Sequence, residues 1–180
     1  MIIGLVGLAG SGKSTAAQYI SEKYGYMRLN FKDGLVREIR QNFQSLLEEL
    51  VEIYYYKDGV FTVDDLFRSK PPAMRKLMQA YGTEVRRRDD IDYWVNQWKA
   101  VAYSEPVRNI VTDDVRFLNE AEAVKDAGGK IIRIVRTDIT EALSHSSETE
   151  QFNIVHDYEI AVGPGEHDKL YEEIDKIISS

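Results

Sequence analysis

Apolar positions fall in bursts whose spacing changes along the chain. "IIGLVG" opens it as a short, nearly unbroken apolar run, the pattern of a strand covered on both faces. The next residues, "KSTAAQYISEKY", carry helical spacing up to Gly25, so the start predicts a strand, a glycine loop and a helix. "YMRL" predicts a second strand. From about Lys32 to Val51, Leu35, Ile39, Phe43, Leu46, Leu47 and Leu50 recur at threes and fours, which predicts one long amphipathic helix. "YYYKDGVFT" reads as a turn region, and Thr62 with Asp65 as a helix-start capping pair. The prolines of "PPAMRKLMQAYG" suit a first helical turn, with Gly82 placed to end that helix. A further helix is predicted over Tyr93 to Tyr103. "VRNIVT", "KIIRIVR" and "YEIAV" then read as strands, separated by the helical "NEAEAVKDAGG" and followed by the helical "DKLYEEIDKII". Strands alternating with helices are the βαβ rhythm of a parallel sheet. The segment "TDITEALSHSSETEQFN" is polar and weakly periodic, which suits a surface segment between layers.

Composition narrows the class. A chain of 180 residues is most simply one domain with a single core. The net charge of -7 gives no general basic footprint, which argues against nucleic-acid or anionic-membrane partners and makes local arginine clusters stand out. The absence of cysteine removes disulfides, thiolate catalysis and cysteine zinc sites, and fits a reducing, cytoplasmic setting. The apolar start breaks into glycines too soon for a signal peptide, and no later run approaches the ~20 residues that span a bilayer.

"GLAGSGKS" adds specific chemistry. Gly7, Gly12, Lys13 and Ser14 match the phosphate-loop pattern of glycine, four residues, then Gly-Lys-Ser, between a predicted strand and helix. Glycines let successive backbone N–H groups converge on phosphate oxygens, and the following helix adds its positive dipole end. Gly7, Ala9, Gly10, Ser11, Gly12, Lys13, Ser14 and Thr15 are thus the expected nucleotide-binding set. Lys13 would reach the β- and γ-phosphates, and the Ser14 hydroxyl would ligate Mg²⁺. A companion carboxylate belongs at the end of another strand. "NIVTDDVRF" supplies Asp113 and Asp114 there, although paired acids at a strand end also occur simply as turns.

A triphosphate loop serves both switch GTPases and phosphotransferases. No Asn-Lys-x-Asp guanine-reading motif is present, and arginines suited to a second anion lie on separate segments: Arg37, Arg86 to Arg88, Arg116, Arg133 and Arg136. Transfer between two anions needs such groups to offset repulsion and to align donor with acceptor, and the planar guanidinium binds phosphate in two places. Water must also be kept out, so a lid is expected over about residues 137–155.

"GLAGSGKST", "LMQAYGTEVRRRDDIDYWVNQW", "VTDDVRFLNEAEAVKDAGGKIIRIVR" and "SHSSETE" together resemble the bacteriophage-type deoxynucleoside monophosphate kinases, which are P-loop kinases. The resemblance covers most of the chain in order, with nothing diagnostic from Gln41 to Ser69. It implies an α/β P-loop kinase fold with a five-stranded parallel sheet, a helical acceptor-binding insertion at about 32–105 and the lid. It also implies transfer of the γ-phosphate of ATP, with Mg²⁺, to a deoxynucleoside 5′-monophosphate. In that comparison Lys13, Asp114, Arg116 and Arg136 are catalytic, and Ser14 and Asp114 hold the metal. Asp33, Arg37, Glu84, Arg87, Arg88, Trp94, Arg116, Asn119 and Glu120 serve the acceptor, with Asn119 and Glu120 opening a helix and orienting Arg116. His145 and Glu148 read as lid hydrogen-bonding residues, and His156 and His167 as surface residues. The position of Arg86, where the family often has a small residue, leaves open which of the three consecutive arginines meets the acceptor. Trp94 suits either base stacking or core packing, and Trp94 with Trp98 either core or a homodimer face. Kinases of other small acceptors, such as dephospho-coenzyme A, and a nucleotide-binding module without turnover remain the alternatives.

Overall fold

The computed structural model describes residues 1–58, 60–104, 108–138 and 150–179. Of the lid expected over about 137–155, residues 139–149, with His145 and Glu148, lie outside the described residues. The chain forms two compact units, Lys32–Gln97 and the remainder, Met1–Phe31 with Trp98–Ser180.

The larger unit is built on β1 (Ile2–Val6), β2 (Met27–Arg28), β3 (Ile110–Thr112), β4 (Lys130–Arg136) and β5 (Tyr158–Val162). Every pairing is parallel, in the order β2-β3-β1-β4-β5. All five residues of the central β1 are buried, as its unbroken apolar run predicts, because helices cover both faces of a parallel sheet. Helices α1 (Lys13–Tyr24), α7 (Leu118–Asp126) and α8 (His167–Ser179) supply that cover. Ala16, Ala17 and Ile20 of α1 and Leu170, Ile174 and Ile177 of α8 pack with Leu5, Ile132, Ile134 and Ile160 in one core. The strand order fixes where chemistry can occur: β1 and β3 are neighbours, so the glycine loop after β1 and the acids after β3 leave the same edge of the sheet.

The smaller unit is helical, with α2 (Lys32–Asn42), α3 (Gln44–Asp58), α4 (Val63–Ser69), α5 (Pro72–Gln79), a π-helical stretch (Ala80–Arg87) and the first half of α6 (Tyr93–Ala102). Its core gathers Leu35, Ile39, Leu47, Leu50, Leu66, Met74 and Trp94. The single long helix predicted from Lys32 divides at Phe43, where its ring meets the Tyr81 ring edge-on at 5.2 Å. Backbone bonds from Phe43 to Ile39 and from Leu47 to Phe43 bridge the division, so the apolar stripe that suggested one helix runs on across it. "YYY" is helical rather than a turn, since Tyr54 extends the stripe of Leu47, Leu50 and Val51 onto the same core.

Thr62 and Asp65 form the expected capping box, and Pro72 stands in the first turn of α5. Gly82 does not end a helix. The chain passes through it in the wider π-helical turn, and a Cβ there would come within 3.0 Å of Leu35 Cδ2, so the glycine serves close packing.

Candidate functional site

The loop after β1 is shaped by glycine. Gly7, Gly10 and Gly12 have φ of 151°, 78° and 102°, conformations that L side chains rarely adopt, and a Cβ on Gly7 would stand 2.3 Å from the Ile134 carbonyl oxygen. The chain therefore curls tightly into α1, directing backbone N–H groups toward the helix N-terminus. Lys13 folds back over the loop and donates to the carbonyl oxygens of Gly7 and Leu8, both at 2.7 Å. Ser11 is 1% exposed, and its Oγ has no hydrogen-bond partner among the described residues. Leaving a buried hydroxyl unsatisfied costs about 1–3 kcal/mol. A cavity of about 120 Å³ adjoins it, lined by Gly7, Leu8, Ser11, Arg133, Arg136 and Phe152 among others. A polyanion fits this cradle: it would accept from the backbone N–H groups, from Ser11 and from Lys13. Ala9, Gly10 and Ser14 are exposed on the same loop, with Thr15 half-buried behind them.

Beyond β3 the two acids take different partners. The buried Asp113 carboxylate forms an ion pair with Arg28 at 2.8 Å. Asp114 Oδ1 accepts from the Phe31 backbone N–H at 3.1 Å and from the Thr112 hydroxyl at 3.1 Å. Asn30 Oδ1 accepts from the Asp113 backbone N–H at 2.9 Å, so the segment after β2 is knitted to both acids. Arg28 thus accounts for the charge of Asp113, while Asp114 Oδ1 is anchored by the Phe31 backbone and the Thr112 hydroxyl.

Arg116 is exposed, and its guanidinium has no partner among the described residues. Glu120 Oε2 accepts from the backbone N–H groups of Arg116 and Phe117, at 2.8 and 3.2 Å. The helix-opening residue foreseen as an orienter of Arg116 thus acts on its backbone, as a capping carboxylate does. Asn119 lies half-buried in the first turn of the same helix.

The two arginines of β4, Arg133 in its middle and Arg136 at its end, behave differently. Arg133 is spent on structure: Nη2 donates to the carbonyl oxygens of Gln151 and Ile154, both at 3.1 Å, and Nε to His156 Nδ1 at 3.2 Å. His156 is therefore half-buried in this cluster rather than a plain surface residue, whereas His167 is exposed. Arg136 makes a two-point pair with Asp138, Nε to Oδ1 at 2.8 Å and Nη2 to Oδ2 at 2.9 Å, and its Nη1 reaches the Gly10 carbonyl at 3.5 Å. The hydrogen bond to Asp138 raises the Arg136 pKa above its usual value, so its charge is fixed at any working pH.

Within the smaller unit, Asp33 and Arg37 line an open groove of about 450 Å³ along α2, together with Val36, Arg40 and Gln41. Glu84 is exposed on the π-helical stretch. Of the three consecutive arginines, Arg86 pairs with Glu38 of α2, Nη2 to Oε2 at 2.9 Å, rather than with the acids that follow it in sequence. Arg88 is exposed and pairs with Asp89 at 3.2 Å. Arg87 lies half-buried between them.

Trp94 is 4% exposed and spends its indole N–H on the Gly82 carbonyl at 2.9 Å, a core position. Trp98 is 2% exposed, donates to the Leu29 carbonyl and stacks on Phe31 at 5.0 Å, so neither tryptophan offers a dimer face. Sequence reasoning missed Glu38 and Gln97, because their partners come from separate helices and no local spacing marks them.

No group of three or more His, Cys, Asp or Glu side chains among the described residues is arranged to hold a metal. One hydroxyl and one carboxylate, Ser14 and Asp114, suit Mg²⁺, which keeps several waters and is shared with substrate phosphates. No described helix is long and apolar enough to cross a membrane.

Comparison with known proteins places this arrangement. The model of the deoxynucleotide monophosphate kinase family matches residues 38–174. A protein of Acanthamoeba polyphaga mimivirus, whose name assigns it to the same kinases, is 33% identical, with 83% of this chain and 81% of the relative covered. Among solved structures, dephospho-CoA kinase from Campylobacter jejuni is similar over 99% of this chain and 95% of its own, at 15% identity and a TM-score of 0.48. Shikimate kinase from Aquifex aeolicus is similar over 99% of this chain and 96% of its own, at 19% identity and a TM-score of 0.45. The chain belongs to the deoxynucleotide monophosphate kinase family and is a P-loop phosphotransferase acting on nucleotides.

Proposed function

We propose that the protein transfers the γ-phosphoryl group of ATP, in the presence of Mg²⁺, to a deoxynucleoside 5′-monophosphate, giving ADP and the deoxynucleoside diphosphate. The observation that carries the donor side is the Ser11 hydroxyl, buried and without a partner among the described residues, in a small cavity lined also by Gly7, Arg133 and Arg136, on a loop over which Lys13 folds back. The family match carries the acceptor class.

In this reading Gly7 to Thr15 bind the donor phosphates, with Lys13 exchanging its two carbonyl partners for phosphate oxygens. Ser14 and Asp114 would hold the metal, which when bound would supply positive charge to offset that of the phosphates. Arg116 and Arg136 neutralise charge on the phosphoryl group in flight. Asp33, Arg37, Glu84, Arg87 and Arg88 bind the acceptor, while Trp94 is left to the core. The acceptor phosphate oxygen is already an anionic nucleophile, so no general base is assigned and rate comes from positioning and electrostatics.

The test is ADP release from ATP measured with each deoxynucleoside monophosphate in turn, and with dephospho-coenzyme A and magnesium-free controls. Acceptor-dependent ADP with at least one deoxynucleotide supports the reading. Release stimulated only by dephospho-coenzyme A, or no acceptor-dependent release, overturns it.

A further inference from the structure

Glu38, on α2, has no part in the reaction as assigned, yet both its oxygens are fully engaged. Oε1 accepts from the Tyr93 hydroxyl at 2.5 Å and from Gln97 Nε2 at 2.8 Å, and Oε2 from the Tyr81 hydroxyl at 3.0 Å and from Arg86 Nε at 3.1 Å. The Arg86 guanidinium lies 5.1 Å from the Tyr81 ring centre and 5.0 Å from that of Tyr93, so it is held between two aromatic faces. Burial pushes the Glu38 carboxyl up. The bonds from Tyr93, Gln97 and Tyr81, with the Arg86 charge, outweigh that and hold it below the usual carboxylate range.

Gln97 carries this network outward. Its Nε2 is committed to Glu38, which turns its Oε1 to accept from Arg37 Nη2 at 2.5 Å. A Cβ on Gly34 would sit 2.5 Å from Gln97 Oε1, so the glycine leaves the room that the amide occupies. The order Arg86, Glu38, Gln97, Arg37 separates two duties. Arg86 cancels the carboxylate charge, and a neutral amide orients Arg37 without cancelling the charge of its guanidinium. An exposed arginine loses rotamer freedom when it grips a ligand, and a fork oriented beforehand loses less.

We propose that Gln97, anchored by Glu38, is a positioning residue that presents the Arg37 guanidinium to the phosphate of the acceptor nucleotide. This rests on the reading that Arg37 binds the acceptor. The neutral amide is essential to it: a carboxylate at position 97 would pair with Arg37 and would repel Glu38.

The experiment varies acceptor and ATP separately for wild type, Gln97→Met, Gln97→Glu, Arg37→Ala and the double variant Arg37→Ala/Gln97→Met. Calorimetric binding of the monophosphate alone and thermal melting accompany each. Gln97→Met is expected to raise the acceptor KM and Kd about tenfold, the scale of one hydrogen bond to a charged group, with the ATP KM unmoved. Gln97→Glu should raise them further, and Gln97→Met should add nothing in the Arg37→Ala background. If Gln97→Met does not fold, Gln97→Asn, which keeps the amide but draws it back by one methylene, takes its place in the same cycle.

An unchanged acceptor KM, equal effects with and without Arg37, or parallel rises for ATP and acceptor would overturn the proposal. So would a wild type that phosphorylates deoxynucleotides while Arg37→Ala leaves the acceptor KM alone, and in that case the assigned reaction survives. A wild type without acceptor-dependent ADP release overturns the reaction itself.

Discussion

Lys13 Nζ lies 2.7 Å from the carbonyl oxygens of both Gly7 and Leu8, so the loop's one cation is docked on the loop's own backbone. Both contacts are backbone acceptors inside the phosphate cradle, which keeps the ammonium where a phosphate oxygen would arrive. Lys13→Ala is therefore expected to lower kcat by about 10²-fold or more, the scale of one preorganised electrostatic contact. The far-ultraviolet circular dichroism spectrum should be unchanged. Turnover near wild type would remove Lys13 from the donor site.

Arg116 differs in that its guanidinium has no described partner, while Glu120 secures its backbone. Removing an exposed side chain without partners among the described residues should change stability by no more than about 0.5 kcal/mol. Arg116→Ala should nevertheless reduce kcat by about 10²-fold. Steady-state kinetics paired with urea unfolding distinguishes the two effects, and a large loss of stability with retained kcat would contradict the assignment.

Three alanine variants should separate the consecutive arginines. Arg86→Ala strips the charge partner from the part-buried Glu38 and should destabilise by about 1–2 kcal/mol in denaturant unfolding. Arg87→Ala should mainly raise the acceptor KM. Arg88→Ala should do little to stability, because exposed pairs such as Arg88 with Asp89 contribute about 0–1 kcal/mol, and should raise the acceptor KM less than Arg87→Ala does. Equal, small effects at all three positions would return the cluster to ordinary surface charge.

The α1–α8 seam predicts a pH dependence. Asp175 accepts from Lys23, Tyr24 and Tyr19, at 2.7, 2.7 and 2.8 Å, and the Lys23 bond foremost lowers its pKa from 3.8 to about 2. A folded pKa below the unfolded one gives stability that is present in full above about pH 4 and is lost as pH falls toward 2. Melting temperatures of wild type and Asp175→Asn should differ at neutral pH and converge below about pH 2. A constant gap across that range would show that the carboxylate charge contributes nothing there.

Much of the fold was legible in the sequence because its signals are local. Isoleucine and valine runs marked β1, β3 and β4, and the glycine spacing marked the loop before α1. The Thr62–Asp65 capping box and the start of α5 at Pro72 likewise need only neighbouring residues. The misses were positions whose neighbours come from distant parts of the chain. Phe43 divides a helix where its ring meets Tyr81, Gly82 gives Leu35 room instead of stopping a helix, and the Trp94 indole finds a carbonyl twelve positions back.

The sequence by itself determined that this protein has a glycine loop of phosphate-loop pattern between a buried strand and a helix, acids after another strand, and arginines on several separate segments. Each follows from spacing along one segment, where backbone geometry fixes which groups can converge. Only the tertiary structure decided how those charges are shared out. It paired Asp113 with Arg28 and bonded Asp114 to the Thr112 hydroxyl, spent Arg133 on carbonyl oxygens, and tied Arg86 to Glu38. An arginine or a carboxylate has the same local signature whether it is free, paired or bound to backbone, because its partner comes from another element of the fold.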